Sequence, residues 1–549
     1  MPISASGMRP TASAVPRFVP AHPNAPIQVC IAFTPCAALA RCKSETAQRI
    51  ALENTNTFSN INMKTNHQKQ SLRSPFSSRL LIGRRAPKRK AANRPFAVVA
   101  LALLSTLDSQ LSTAFAQGSL TPPGPPAPMM KTLDQIEPRT PISSAPFTIT
   151  QPGSYYLTTN VSVGGGNAIT IATNGVTLDL NGFTISSTAP SAAGTGIWLE
   201  DSLRNVAILN GFIQGGVTNN GSGVYSGSGF GYGIEHNGTG PVNCRLSGVS
   251  VSGCLYQGID LGAGDSTLVE SCSARTVGGS GIQASIIKNC SGMDCGSTAI
   301  AGFEISECRG SGASNGVSGE NVHNCSGAST TGFGVYASTA LNCSGTSVTG
   351  VGLYANDTAE TCRGVSNGSS DGLYSFGNAA YCTGYSDSGH GVNAERSALS
   401  CYGYSNSGVG VQAAAVQNCE GYSVANSGIR GAYVAQNCYG YSGANGYGVS
   451  ATTVLNCDGY AVGMGGGGVG VYADFTAQNC VGYTQTGVSG VAAVIAQDCY
   501  GIGVTYGVAA TSVAIGCYGY STSGTGLYTY IANSCAGSPQ NVTYKYNMP

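Results

Sequence analysis

The chain has 549 residues, 42% of them hydrophobic and only 9% charged, with 79 glycines and a formal net charge of +1. That charge averages two unlike parts: 15 Lys/Arg against Glu45, Glu53 and Asp108 before Gln117, then 11 Lys/Arg against 22 Asp/Glu. A net-negative body without basic clusters argues against nucleic acid as a partner, and the absence of any run of about 20 apolar residues argues against a helical membrane span.

Residues 1–116 read as a disordered leader carrying an export signal at about 84–116. Arg84, Arg85, Lys88, Arg89, Lys90 and Arg94 precede the apolar run Phe96–Leu104, and Ala114-Phe115-Ala116 supplies small residues for cleavage. Basic, apolar and A-x-A segments in that order make a bacterial-type secretory signal. The expected destination is therefore the periplasm, the cell surface or the medium. Met63 would place the signal at a normal depth, so residues 1–62 read as an over-extended gene start.

Residues 117–145 read as a stiff Pro-rich linker, TPPGPPAP from Thr121, followed by a short segment that caps the first coil. A cap is needed because a bare terminal coil exposes unpaired backbone.

Residues 146–549 carry a repeat. Sixteen cysteines from Cys254 to Cys535 recur at steps of 17 to 20 residues, with one step of 23. A fixed period of this size signals a solenoid. Each coil opens with Gly, an aliphatic residue, a variable residue and a small one, as in Gly334-Val335-Tyr336-Ala337 and Gly410-Val411-Gln412-Ala413. That alternation predicts a strand with one buried face. A second apolar position lies three residues before each cysteine, and Asn often lies immediately before it, as at Asn324, Asn342 and Asn418. Strict alternation would then turn the cysteine outward. A one-residue left-handed bend at Asn restores it to the inside, and stacked Asn amides can bond from coil to coil. The prediction is an all-β parallel β-helix, right-handed, with coils of 18–19 residues and a thin core of Val, Ala, Cys and Gly. A left-handed helix would need a hexapeptide aliphatic period that is absent, and a propeller blade about twice the length.

The first coils contain Asn174-Gly175-Val176-Thr177-Leu178-Asp179-Leu180-Asn181-Gly182-Phe183-Thr184-Ile185. This segment resembles the opening coil of the right-handed parallel β-helix (pectin-lyase-like) superfamily. The preceding Glu137–Ile142 resembles the opening segment of uncharacterised bacterial secreted members. The resemblance implies fold over roughly residues 130–540. It implies little about activity, because the superfamily includes lyases, hydrolases, epimerases, tailspikes and adhesins.

Three features carry candidate chemistry. The cysteines read as a free, buried column, since in-register Cβ atoms one coil apart sit slightly too far apart for an unstrained disulfide; Cys244 and Cys295 fall off its spacing. The outward column of the Gly-aliphatic-x-small strand runs Trp198, Glu235, Asp260, Gln283, Ala301, Ser318, Tyr336, Tyr354, Tyr374, Asn393, Gln412. In it Tyr336, Tyr354 and Tyr374 read first as plain cross-strand packing; the functional reading is an aromatic ribbon for sugar rings, with Trp198 as a further platform. Glu235 and Asp260 would be neighbours one coil apart, spaced for acid and nucleophile work on a glycosidic bond, with His236 adjacent and the Gly/Ser-rich stretch Gln214–Tyr232 as a wall. A lyase would need Arg or Lys beside a calcium-binding acid cluster. Arg204, Arg245, Arg275, Arg309 and Arg363 read as dispersed, and no calcium loop or zinc motif is present. No metal and no cofactor is expected. The reading is an exported β-helix scaffold for surface or extracellular glycan contact, non-catalytic, with a polysaccharide as partner; the alternative is a polysaccharide hydrolase or lyase acting at the early coils. No translocator-like barrel follows the coils, so release or non-covalent attachment is expected.

Overall fold

The computed structural model describes residues 138–262, 266–463 and 466–548. The leader, its signal and the Pro-rich linker and cap up to residue 137 lie outside the described residues. What is described is all strand and turn, with no helix.

The strands stack into three parallel sheets, one strand per sheet per coil. One coil shows the pattern. Val335–Leu341 crosses the first and second sheets and Ser344–Ser347 lies in the third. Their partners one coil on are Val335↔Leu353, Thr339↔Thr358 and Ser344↔Arg363. The architecture expected from the sequence is therefore the one observed. Neighbouring strands in a parallel sheet are about 4.8 Å apart, so each coil advances the solenoid by that amount.

Early coils are wide. Ile169 pairs with Ile197, Ile197 with Ile234, Ile234 with Ile259 and Ile259 with Ile282, so these coils hold 23 to 37 residues. Their core contains Ile149, Leu157, Ile197, Leu199 and Phe230. From Ile282 to Ile300 the coil shortens to 18 residues, and the core becomes Val, Ala, Cys and Ser.

The corner between second and third sheets is the left-handed bend that the Asn pattern predicts. Asn324, Asn342, Asn418, Asn437, Asn456 and Asn479 have φ between 52° and 54°. Their amides bond in file, Asn342 Nδ2 donating to Asn324 Oδ1 at 2.8 Å and Asn456 Nδ2 to Asn437 Oδ1 at 3.1 Å. The same bend is forced on Thr361, Tyr381 and Ser400. Tyr381 at φ 55° is exposed and carries a left-handed cost of roughly 1–2 kcal/mol that Asn largely escapes. Tyr381→Asn should raise the unfolding free energy by about 1 kcal/mol in urea or thermal unfolding.

The cysteine column needs one correction. It runs from Cys272 to Cys535, because Cys272 stands one coil above Val249, which precedes the register pair Ser250↔Ser273. The chain turns at Gly248, φ 67°, and Cys254 lies at the far end of the long strand Arg245–Cys254. There Cys254 shares a second inward column with Val277 and Cys295. Further along, that second column becomes serine, a core position the sequence reading missed. Ser347, Ser366, Ser386, Ser405 and Ser423 are buried, and each hydroxyl donates to a backbone carbonyl of the adjacent turn, as Ser405 to Gly389 at 2.6 Å and Ser366 to Gly350 at 2.8 Å. A buried hydroxyl so paired escapes the penalty of an unmet hydrogen bond.

Candidate functional site

The register fixes the outward column of the first sheet. Thr170 stands beside Trp198, Trp198 beside Glu235, and Ile234↔Ile259 places Glu235 beside Asp260. The column continues Asp260↔Gln283↔Ala301↔Ser318↔Tyr336↔Tyr354↔Tyr374. All nine positions from Trp198 to Tyr374 thus lie on one line about 38 Å long, eight steps of about 4.8 Å.

At its wide end the column holds the chemistry. Ile234 points into the core, so Glu235 points outward, but only half so: its Oε2 is buried and has no hydrogen-bond partner among the described residues. His236 occupies an inward position whose register partner is the fully buried Leu199. Its Nδ1 is also buried without a partner, and its Nε2 lies 3.9 Å from Asp260 Oδ1. Asp260 Oδ1 accepts the Gly262 N–H at 2.7 Å. Burial, and then the neighbouring Asp260 charge, push the Glu235 carboxyl up to about 8. A carboxylic acid that keeps its proton at neutral pH beside a second carboxyl can donate that proton. These are the only two buried side-chain N or O atoms without a partner among the described residues, and such atoms concentrate where function makes a use of them.

The wall is not the one expected. The stretch after Gln214 forms a hairpin, Gly216–Asn219 against Tyr225–Ser228. Its Tyr225 hydroxyl and Asn219 amide bond to Asp294 in the third sheet, at 2.9 and 2.7 Å. Tyr232 at the hairpin's exit packs against Tyr256, the centroids 5.0 Å apart and the rings tilted by 35°. Burial and the Glu235 charge both raise the Tyr232 phenol, so this aromatic pair flanks the acids.

The tyrosines meet as predicted in register but not as a ribbon. Tyr336, Tyr354 and Tyr374 stack face to face, at 5.4 Å and 17° and then 5.0 Å and 21°. Phe333 leans on the first two. The Tyr336 phenol oxygen accepts from Asn356 Nδ2, and the Tyr374 hydroxyl donates to Glu395 Oε1, both at 2.9 Å. Rings that cover one another's faces present edges and hydroxyls, not platforms.

Between acids and stack lies a feature the sequence reading did not name. A groove of about 510 Å³ is floored by Ala301 and Ser318 and bounded by Gln283, Phe303, Glu320 and Tyr336. Its signal was the pair of small residues between Gln283 and Tyr336 in the outward column. The arginines are less scattered than expected: Arg309 and Arg363 share one outward column of the third sheet. Among the described residues no three His, Cys, Asp or Glu side chains gather to hold a metal, and no helix is long and apolar enough to cross a membrane.

No known family model matches the chain, and no curated protein matches it. Among solved structures it is similar to the polygalacturonase from Erwinia carotovora ssp. carotovora, with 12% identity and a TM-score of 0.19 over 75% of this chain and 96% of that one. A likeness at that score carries no argument about activity; the parallel β-helix rests on the strand register itself.

Proposed function

We propose that the chain is an exported β-helix whose first sheet binds a polysaccharide lengthwise, at the cell surface or outside the cell. The observation that carries this reading is the groove, lying in the same column as the acids on one side and the tyrosine stack on the other. Its lining suits a sugar: a floor of small side chains, the Gln283, Ser318 and Asn356 side chains as polar partners, and the exposed Phe303 ring at the rim. With Glu320 in the lining, Asp260 beside Gln283 in the same column and no cation in the lining, a neutral polymer fits better than an acidic one.

A second reading is favoured by one observation, the Glu235 carboxyl held protonated beside Asp260. In that reading Glu235 donates a proton to a glycosidic oxygen and Asp260 supports or attacks the sugar carbon. One experiment separates the two. The chain is incubated with a panel of insoluble neutral polysaccharides, and both retention and new reducing ends are measured. Binding alone predicts retention that falls about tenfold in Phe303→Ala and Tyr336→Ala, roughly 1.4 kcal/mol, without new ends. Hydrolysis predicts ends that vanish in Glu235→Gln and Asp260→Asn. Neither retention nor ends on any polymer would leave a structural β-helix and overturn the reading.

A further inference from the structure

The fifteen cysteines of the corrected column, from Cys272 to Cys535, are buried free thiols. They are in close file. The Cys272 N–H donates to Cys290 Sγ at 3.4 Å, Cys290 to Cys308 at 3.4 Å, and Cys308 to Cys325 at 3.5 Å. Neighbouring thiols act on each other's ionisation, as Cys308 does with both Cys290 and Cys325. The corner that holds them is not sealed by a further layer. Grooves of about 510 and 450 Å³ run over it, the first lined by Cys308, Cys325 and Cys343, the second by Cys272 and Cys290.

Spacing decides what such a file can do. A disulfide wants Cβ atoms about 3.8 Å apart, closer than the coil repeat of about 4.8 Å. An ion midway between two sulfurs one repeat apart would sit about 2.4 Å from each, close to a metal–thiolate bond, which for zinc is about 2.3 Å. A column offers each ion two sulfurs in line and nothing else. Zinc, which takes four ligands, has no such set among the described residues. Soft thiolates select copper(I)-type ions, and d¹⁰ monovalent ions of that kind accept two ligands in line.

We propose that the column is a binding site for soft monovalent cations of the copper(I) and silver(I) class, each held linearly between the sulfurs of successive coils. On entry two S–H bonds break, two metal–sulfur bonds form and two protons leave to solvent; no electron is transferred. Each pair then carries one net negative charge, which the backbone N–H groups already aimed at the sulfurs offset. A thiolate shared by two ions would have to hold them in line on opposite sides, against its bent bonding. Ions therefore fill alternate gaps, and fifteen thiols take about seven. This site lies on the corner between second and third sheets and does not depend on the glycan reading.

The test uses the full chain, reduced, with Cys30, Cys36 and Cys42 changed to Ala; Cys244, Cys254 and Cys295 have no thiol one coil away in their own columns and so offer no two-sulfur gap. Silver(I) is added, the protein is passed through gel filtration, and retained silver is measured beside far-UV circular dichroism and Tm. About seven ions per chain, an unchanged spectrum and a raised Tm are expected. Adding Cys401→Ala, Cys438→Ala and Cys480→Ala breaks the file and should lower the count to about four. Should that protein misfold, Cys480→Ala alone splits the file into runs of eleven and three and should lower the count to about six. Less than one ion per chain, a count unmoved by breaking the file, loss of the β spectrum on loading, or equal retention of zinc(II) would each overturn the proposal.

Discussion

Gly403→Ala is expected to destabilise the protein by about 3 kcal/mol or more, or to prevent folding, although the change adds a single methyl group. Gly403 lies two residues after Cys401, so period-two alternation turns its position inward. A Cβ built there would fall well inside contact with the carbonyl oxygen of Gly410, where the same coil returns toward the first sheet. The obstacle is backbone, which cannot move aside as a side-chain tip can. Gly384, Gly421, Gly440, Gly459 and Gly482 repeat the arrangement coil after coil, each against the glycine that opens the next first-sheet strand. At this corner the solenoid is one backbone thick on each side with nothing between. Shifting one coil to admit the methyl would also shift its hydrogen-bonded neighbours on both sides. Gly164→Ala is the control, since no atom lies within 4 Å of a Cβ there; it should move stability by less than about 0.5 kcal/mol. Urea unfolding of both variants beside the parent checks the pair. A Gly403→Ala protein as stable as the Gly164→Ala one would mean that the corner is slack.

Fold and site adjacencies are legible where a local strand signature recurs in every coil. The Gly-aliphatic-x-small strand signature places Glu235 beside Asp260 even across a coil of irregular length, and the same signature with a nearly constant coil lines up Tyr336, Tyr354 and Tyr374; the register bears out each adjacency. The Asn bend was legible because only a left-handed residue reconciles an inward cysteine with an inward residue three before it. Failures came where a coil departs from the period. Cys254 has a glycine at φ 68° before it and the right spacing after it, so it imitates the column, yet its strand has already turned at Gly248. The hairpin's destination depended on a contact 69 residues away, Tyr225 to Asp294, which no local pattern encodes. The tyrosines stack on one another, as cross-strand packing implies, but the face they present was not legible, because register fixes where a ring is rooted whereas its tilt is set by Phe333, Asn356 and Glu395 around it. The serine column escaped notice because serine reads as turn; it is buried only because each hydroxyl finds a carbonyl.

The pH dependence of stability should single out Glu235. Its carboxyl sits at about 8 in the folded chain against an ordinary value of 4.5. The folded state therefore binds a proton that the unfolded state has released throughout that window. Stability from this group falls as pH rises above about 4.5, and the loss is complete above about 8. The full shift would correspond to nearly 5 kcal/mol at about 1.4 kcal/mol per pH unit, but Glu235 is only half-buried, and solvent screening reduces this to about 2 kcal/mol. Glu235→Gln should thus match the parent at pH 4 and exceed it by about 2 kcal/mol at pH 9, measured by urea unfolding at each pH. Ionisation of groups away from Glu235 is common to both proteins and cancels in the difference, and the Tyr232 phenol, raised above its ordinary value first by burial, keeps its proton at pH 9. Asp260→Asn separates the causes. Burial is the larger one and Asp260 the second, so removing the Asp260 charge should narrow the gap without closing it. A gap abolished by Asp260→Asn would make charge repulsion the dominant cause. A gap absent in the parent comparison would mean that Glu235 is ionised at neutral pH, and the proton-donor reading of the acid pair would fall with it.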